Sequence, residues 1–254
     1  PFANAEPPGS QTTTAYATFA AAGVEVTVPQ ASPATGFSVA TMGGVLGTMD
    51  ANFPIIAGTD GGLTIPDVTQ LLGQAARQAE GTRAAIRVPL GSRARVSITV
   101  VDTNGVILGI FRTTDAPVFG FDVSAQKART ANFFTHASAA GDLTAAGFTA
   151  YVAAMANDGL ALNGSVALTD RAVGFLSQPI YPPGASQPFS HGPLSKPLGQ
   201  WSVFNTGLQL DLVAGQLGAV GSCTTVAKLP NGMQLFTGSV PVFKNGIHVG
   251  AIGV

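Results

Sequence analysis

The chain has 254 residues, of which 10% are charged, and its formal net charge is −1. A chain of this length can bury a sizeable core, as one large domain or two small ones. The small net charge gives no general attraction to nucleic acid or anionic lipid, and no apolar run approaches the roughly 20 residues of a membrane span. Few charges and many small residues favour a secreted, extracellular or periplasmic protein, or a subunit of a larger assembly.

The N-terminal part of the chain differs from the rest in charge. Residues 1–76 contain five acidic residues and no Lys or Arg, whereas residues 77–254 hold all twelve cations. We interpret residues 1–62 as a separate arm or small subdomain, with strands predicted over 12–22 and 24–28. An arm of this kind forms little hydrophobic core by itself. We therefore expect it either to pack on the main domain or to add a strand to the sheet of a neighbouring molecule.

The first predicted helix follows this arm. It begins at Thr64-Ile-Pro66, where Thr64 or Ile65 supplies the cap and the proline lies in the first turn. Apolar residues then recur at helical spacing over 68–79, and we expect the helix to end near residue 81.

Two hairpins are predicted further along the chain. The first joins strands 96–101 and 106–111 through the turn Asp-Thr-Asn-Gly at 102–105. The second joins 239–243 and 247–254 through Lys-Asn-Gly at 244–246, where Asn-Gly tolerates positive φ. Glycines flank the second hairpin at Gly238, Gly250 and Gly253, which indicates that something approaches its backbone closely.

Both hairpins resemble those of the GlcG/HbpS family of haem-degrading-domain-like proteins. Residues 96–108 read Val-Ser-Ile-Thr-Val-Val-Asp-Thr-Asn-Gly-Val-Ile-Leu, and residues 238–254 read Gly-Ser-Val-Pro-Val-Phe-Lys-Asn-Gly-Ile-His-Val-Gly-Ala-Ile-Gly-Val. Arg112, the turn Asp115-Ala-Pro117 and the segment Asp-Val-Ser-Ala-Gln-Lys-Ala-Arg-Thr-Ala at 122–131 follow in the order of the family. The resemblance covers residues 64–136 and 230–254.

The resemblance implies an α+β fold with a mainly antiparallel sheet. The sheet would be built from residues 96–111 and 239–254 and backed by helices near 66–80 and 122–134. The GlcG/HbpS-like domain would span residues 63–254, and the minimal family domain has no counterpart of the arm at 1–62. Residues 137–229 exceed the length that a compact member of the family needs. Repeated prolines indicate that this stretch is a loop-rich insertion.

The resemblance also implies a function. The family is associated with haem binding, and with degradation of haem or small-molecule metabolism. We therefore expect a secreted or periplasmic binding module whose cofactor is haem or a similar small, planar, acidic ligand. Haem requires an apolar slot, an axial ligand and cations near its propionates.

Three histidines are available as the axial ligand. His136 follows Phe133 and Phe134, aromatic neighbours that would wall a planar ligand, although the helix dipole also favours a histidine at a helix C-terminus. His248 alternates with apolar neighbours along its strand, so it is either an exposed strand residue or part of the ligand site. We interpret His191 as loop surface.

Several cations are candidates for binding the acidic groups of the ligand. Lys127 and Arg129 lie on the second predicted helix and either pair with ligand carboxylates or form a solvated face. Arg112 lies near aspartates of the first hairpin and the following helix, which form either a polar pocket or separate local contacts. In the second interpretation Asp102 is a turn residue and Asp122 is the N-cap of the helix.

The sequence carries no recognisable enzymatic or metal-binding motif. Cys223 is the only cysteine, which excludes an internal disulfide and a multi-cysteine metal site. We interpret it as a buried small hydrophobic residue, with an intermolecular disulfide as the alternative. No Gly-x-Ser-x-Gly nucleophile motif and no His-x-His pair occur. We therefore assign no catalytic and no metal-binding residue and leave enzymatic activity open.

The alternative function is that of a structural subunit. A strand-forming arm, few charges and many small residues suit self-assembly into homo-oligomers or fibres, in which the arm adds a strand to a neighbour. Five arginines between residues 77 and 95 would either bind the acidic arm of that neighbour or lie on the solvated surface.

Overall fold

The computed structural model describes residues 19–21, 24–26, 36–182, 184, 190–200, 207–216 and 222–254. In these residues the chain forms a six-stranded antiparallel sheet, a two-stranded antiparallel ribbon and six α-helices. The predicted α+β fold is therefore confirmed.

The two-stranded ribbon consists of β1 (Phe19–Ala21) and β2 (Val24–Val26). Both strands lie within the runs where the sequence predicts strands, residues 12–22 and 24–28. The other residues of those runs lie outside the described part of the chain. The ribbon is not part of the six-stranded sheet.

The main sheet has the strand order β3-β4-β6-β5-β8-β7. Its members are β3 (Phe37–Met42), β4 (Val45–Asp50), β5 (Ser97–Val101), β6 (Ile107–Thr113), β7 (Ser239–Lys244) and β8 (Ile247–Gly253). The two predicted hairpins supply the last four of these strands. In the turn between β7 and β8, Asn245 and Gly246 have φ angles of 54° and 80°, as the Asn-Gly sequence predicts.

Strands β3 and β4 come from residues that the charge pattern assigns to the N-terminal arm. Gly43 and Gly44, both with positive φ, form the turn between them. Strand β4 pairs with β6, which adds both strands to the edge of the main sheet. This part of the arm packs on the main domain, and the boundary at residue 62 stays a prediction.

Helix α1 (Ile65–Gly81) begins where the sequence predicts. Thr64 is its N-cap: the Thr64 hydroxyl accepts a hydrogen bond from the Asp67 N–H, and the Asp67 carboxylate accepts one from the Thr64 N–H. Pro66 lies in the first turn. The apolar face of the helix packs on the sheet in a core that includes Val68, Leu72, Ile98 and Phe111.

Helix α2 (Gly120–Thr135) lies on β5, β7 and β8. It begins earlier than the sequence predicts, so the interpretation of Asp122 as the N-cap is wrong; Phe119 takes that position. Asp122 lies in the first turn instead, where the helix dipole favours negative charge.

Four further helices lie in the stretch 137–229. They are α3 (Ala139–Ala145), α4 (Thr149–Asn157), α5 (Asp170–Leu176) and α6 (Leu208–Ala214). They enclose a second hydrophobic core that includes Phe133, Leu143, Met155, Val173 and Leu212. The prolines that suggest an open loop all fall between α5 and α6, and most of the described residues of this stretch lie outside its helices.

Two further observations concern the surface of the described residues. No helix among them is both long enough and apolar enough to cross a membrane. Cys223 is an exposed free thiol, so its interpretation as a buried residue is wrong. Its neighbours Thr224 and Val226 take the buried positions of this segment, while the Cys223 N–H donates to the carbonyl of Pro230.

The backbone of β8 approaches α2 closely at Gly253. A β-carbon at this position would lie 2.2 Å from the carbonyl oxygen of Ser124 and 2.5 Å from the backbone nitrogen of Ala128. The glycines of the second hairpin predict such an approach, and it fixes α2 on the sheet without an intervening side chain.

We expect Gly253→Ala to lower the free energy of unfolding by about 1–3 kcal/mol, because the added methyl group forces α2 and β8 apart. Denaturant unfolding followed by circular dichroism measures this change. Gly141→Ala is the matched control, since a β-carbon there meets no atom within 4 Å. Equal unfolding midpoints for Gly253→Ala and the wild type would contradict the close packing.

Candidate functional site

Two of the three histidines lie side by side. The ring centroids of His136 and His248 are 6.2 Å apart, and the ring planes make an angle of 65°. His136 is the C-cap residue of α2, and His248 lies near the start of β8. Because α2 packs along β8, two residues far apart in the sequence meet at this point.

His248 has a ring nitrogen that makes no hydrogen bond. Its Nε2 is buried and without a partner among the described residues. The Gly250 backbone acts on the ring in the direction that favours its protonated form.

The surroundings of His248 keep its ring neutral. Burial lowers the pKa of the imidazole most, the Gly250 hydrogen bond raises it, and the neighbouring His136 lowers it again. Asp60 acts in the raising direction, but the net change lowers the pKa below the usual value for histidine. A neutral imidazole is the form that binds a metal ion.

His136 is held through its Nδ1 atom. This nitrogen lies 2.8 Å from the hydroxyl oxygen of Ser138 and accepts a hydrogen bond of 3.1 Å from the Ser138 N–H. Burial and the positive charge of Lys228 lower the pKa of His136, and they outweigh the opposing carboxylates of Asp142 and Asp60. His136 is therefore a second neutral ring beside His248.

A charged pair lies next to His136. The ammonium group of Lys228 donates to the Asp142 carboxylate at 2.8 Å and to the Ser138 hydroxyl at 2.9 Å, and that hydroxyl donates to Asp142 at 2.7 Å. Burial opposes ionisation of Asp142, but the hydrogen bonds from Lys228 and Ser138 lower its pKa overall. Lys228 and Asp142 also line a cavity of about 290 Å³.

Asp60 is the second acidic group near the histidines. One carboxylate oxygen accepts from the N–H of Gly62, and the other accepts from the N–H and the hydroxyl of Thr103 at 2.9 and 2.5 Å. Burial disfavours the charged form, yet these hydrogen bonds lower the pKa of Asp60. The carboxylate is thus a fixed negative charge that acts on both His136 and His248.

An exposed apolar side chain adjoins the histidine pair. The ring of Phe243 lies 5.5 Å from that of His248, and its side chain is 46% exposed. Ile247, the residue before His248, is 67% exposed, but consecutive side chains of a strand point to opposite faces of the sheet. A planar apolar molecule would therefore find the hydrocarbon surface of Phe243 directly beside the imidazole.

The lowered pKa values make stability depend on pH. His136 and His248 bind a proton less readily in the folded chain than in the unfolded chain, where the pKa of histidine is about 6.5. The stability that the neutral rings contribute is therefore fully present above about pH 6.5 and is lost as the pH falls through the folded-state values.

We accordingly expect the denaturant midpoint of unfolding to decrease between about pH 7.5 and about pH 5.5. The double variant His136→Gln/His248→Gln should show a smaller decrease, because it has no such rings to protonate. Equal decreases in the wild type and the double variant would contradict the assignment.

The other predicted ligand residues make packing or backbone contacts. Phe133 is fully buried in the second core and packs edge-to-face on Phe134 at 5.3 Å. Arg112 donates to the carbonyl of Ala116 at 2.7 Å, and its guanidinium lies 5.9 Å from the ring centre of Phe37. Their contact with a ligand stays a prediction.

Lys127 and Arg129 on α2 connect the helix to distant loops. Lys127 donates to the carbonyls of Thr237 and Val254 at 3.0 and 2.8 Å, and burial lowers its pKa against the opposing charge of Asp170. Arg129 donates to the carbonyl of Gly105 at 2.8 Å and to the Asn231 side chain at 2.9 Å. Both cations are partly buried, and a role in ligand binding stays a prediction.

Three charged residues of the site escape prediction from the sequence. In the sequence, Asp60 is noted only as one of the acidic residues of the arm. The Asp-Gly-Gly at 60–62 nevertheless indicates a turn, and this turn fixes the Asp60 carboxylate. Asp142 and Lys228 lie at opposite ends of the stretch 137–229 and meet only through packing of α3. Among the described residues, no group of three or more His, Cys, Asp or Glu side chains could hold a metal ion.

Comparison with known proteins gives one match. Residues 67–177 match the family model described as "Haem degrading protein HbpS-like". The matched segment runs from α1 to α5 and includes His136, while His248 lies beyond it. No curated protein and no solved structure matches the chain.

Proposed function

We propose, from the match of residues 67–177 to the HbpS-like family model, that the chain binds haem, or a similar planar acidic molecule, at the pair His136–His248. The observation that carries the proposal is the buried, unpartnered Nε2 of His248 in the described part of the chain. A histidine that binds a metal usually donates its other ring N–H to a carbonyl or carboxylate, and the Gly250 backbone lies close enough to His248 to raise its pKa.

The residues around the pair fit a haem group. His248 would be an axial ligand through Nε2, with the neutral ring of His136 beside it. Phe243 would contact the macrocycle, and Lys228 would be the cation for a propionate. When bound, haem supplies iron redox chemistry, and the residues of the chain bind and orient it. Because Nε2 of His248 is buried, the iron would reach it only after the side chains that cover this atom move.

The test is a titration of the full chain with hemin, followed by visible absorption. We expect a saturable Soret band that differs from that of free hemin and reaches its plateau at one hemin per chain. His191→Ala is the matched control, since His191 lies in a different cavity. A spectrum no different from free hemin would overturn the proposal, as would a band that depends on His191 and not on the pair.

We also propose that the protein acts outside the cytoplasm, as a secreted or periplasmic protein. The support is the composition, because only 10% of the residues are charged. Immunodetection in fractions of the cells that produce the full-length protein tests this. Detection in the cytoplasmic fraction alone would contradict it.

A second candidate function, self-assembly into homo-oligomers or fibres, is favoured by an exposed apolar loop between α1 and β5. Ile86, Val88 and Leu90 are 96%, 92% and 83% exposed. The loop is closed at its base by the bridge between Arg83 and Arg93. Burying each aliphatic side chain against a neighbouring copy would contribute about 1.5–3 kcal/mol.

Two further features support contact between copies. Strands β3 and β7 are the edges of the six-stranded sheet, and an unpaired edge accepts an added strand, such as one from the N-terminal arm of a neighbour. Val240 on β7 is 51% exposed. Two of the arginines predicted to grip an acidic arm are instead paired within the chain, Arg87 with Asp115 and Arg95 with Glu80.

The triple variant Ile86→Ser/Val88→Ser/Leu90→Ser tests the assembly. We expect the wild type to sediment as an oligomer in analytical ultracentrifugation and the variant to sediment mainly as a monomer. A wild-type monomer at micromolar concentration would contradict the proposal. Val166→Ser, at a single exposed aliphatic residue elsewhere, is the control that should leave the oligomer unchanged.

A further inference from the structure

A cavity lies among the helices of the stretch 137–229, apart from the histidine pair. Its volume is about 540 Å³, and it opens between α4, residues 191–196 and α6. Such a volume is in the range of small-molecule sites. The residues that line it lie partly outside the segment 67–177 that matches the family model.

One side of this cavity carries a linked set of polar groups. The Asp211 carboxylate accepts from the Tyr151 hydroxyl on one oxygen, at 2.5 Å, and from the Lys196 ammonium on the other, at 3.0 Å. Burial and the adjacent carboxylate raise the pKa of Tyr151, so its phenol stays protonated and remains a donor. Both oxygens of Asp211 are thus engaged, and its charge is balanced by Lys196.

Lys196 and His191 retain hydrogen-bonding capacity. The Lys196 ammonium has three N–H groups, and its bond to Asp211 uses one of them. Nδ1 of His191 lies 2.9 Å from the Gly192 carbonyl, which can only accept, so Nδ1 carries a proton. Nε2 of His191 has no hydrogen-bond partner in the described part of the chain. Both side chains line the cavity.

The remaining lining is apolar or small. Phe148 and Pro193 supply the large hydrocarbon surfaces, while Ala150, Ala154 and Ala214 leave the volume open. The cavity therefore combines an apolar body with one cationic donor whose acidic neighbour is already satisfied.

We propose that this cavity binds a small monocarboxylate with an apolar body, aromatic or aliphatic. The carboxylate accepts from the free N–H groups of Lys196, and the apolar body lies against Phe148 and Pro193. A charge-assisted hydrogen bond is stronger than a neutral one, so the site prefers the acid anion to its amide. This site is independent of the haem site proposed at His136–His248.

The experiment uses calorimetric titration of the full chain with three probes, 2-naphthoate, indole-3-acetate and octanoate. We expect at least one to bind saturably at one per chain, and its amide to bind about tenfold or more weakly. Lys196→Met should abolish the preference for the acid over the amide. If none of the three acids binds at millimolar concentration, or acid and amide bind equally, the proposal is overturned.

A pair of neighbouring variants on α4 locates the site. Ala154→Trp fills the cavity and should weaken binding of the probe by about tenfold or more. Ala153→Trp is the matched control, because Ala153 is exposed and does not line the cavity, and it should leave binding unchanged. Equal binding by the two folded variants would overturn the assignment. Hemin titration of Ala154→Trp should match the wild type, which separates this site from the haem site.

Discussion

His248→Ala is expected to abolish saturable hemin binding, with a loss in affinity of about a hundredfold or more. The variant removes the imidazole whose Nε2 is buried and unpartnered in the described residues. Phe243 and Lys228 can supply only apolar contact and charge, so neither replaces an iron ligand. Titration followed at the Soret band measures the loss.

Two controls accompany this variant. His191→Ala, in the cavity among the helices of the stretch 137–229, should bind hemin as the wild type does. His248→Gly leaves space for an added base, so free imidazole should restore the Soret band in that variant. Wild-type affinity in His248→Ala, or no restoration by imidazole, would contradict the role of His248 as the ligand.

Asp170→Ala is expected to destabilise the fold more than any other single substitution considered, by about 3–5 kcal/mol. Asp170 is fully buried at the start of α5, and one of its carboxylate oxygens accepts from the N–H groups of Gly238 and Ser239 at 3.2 and 3.0 Å. It also faces the charge of Lys127. Without it, two backbone donors lose their acceptor, and the half-buried Lys127 loses an opposing charge.

Denaturant unfolding compares this variant with two others. Asp170→Asn keeps an acceptor for the two N–H groups and should lose less stability than Asp170→Ala. Asp158→Ala, at an exposed position, should change the free energy of unfolding by less than about 0.5 kcal/mol. A similar small effect at Asp170 and Asp158 would contradict the buried network at the start of β7.

The elements with strong local signals are those that the sequence predicts well. Asn245-Gly246 determines its own turn because both residues tolerate positive φ. Thr64 and Asp67 cap α1 through contacts three residues apart, so the start of that helix depends on no distant residue. The strands of both hairpins follow from these local rules and from the resemblance to the family.

Other features depend on packing between distant segments and leave little local trace. Strands β3 and β4 join the sheet only because β4 pairs with β6, which the charge pattern of the arm does not reveal. The meeting of His136 with His248 requires the close approach of α2 to β8 at Gly253. The exposure of Cys223 follows from the path of an irregular segment, not from the residue type.

The contacts of the partly buried cations on α2 also depend on distant segments and are not predicted from the local sequence. Lys127 and Arg129 have the spacing of a solvated helix face, but loops that arrive from 105, 231 and 237 cover them and supply carbonyl and amide acceptors. The sequence does not indicate which loop packs against which helix. Asp60 and Lys228 likewise reach the candidate site through packing between segments that are distant in sequence.

Resonance Raman spectroscopy of the reduced hemin complex tests the central claim most directly, because it reports the bond between iron and its axial ligand. We predict an iron–imidazole stretching band in the wild type that is retained in His191→Ala and absent in His248→Ala. A band that persists unchanged in His248→Ala, or a wild-type complex with no such band, would contradict the assignment of His248 as the haem ligand.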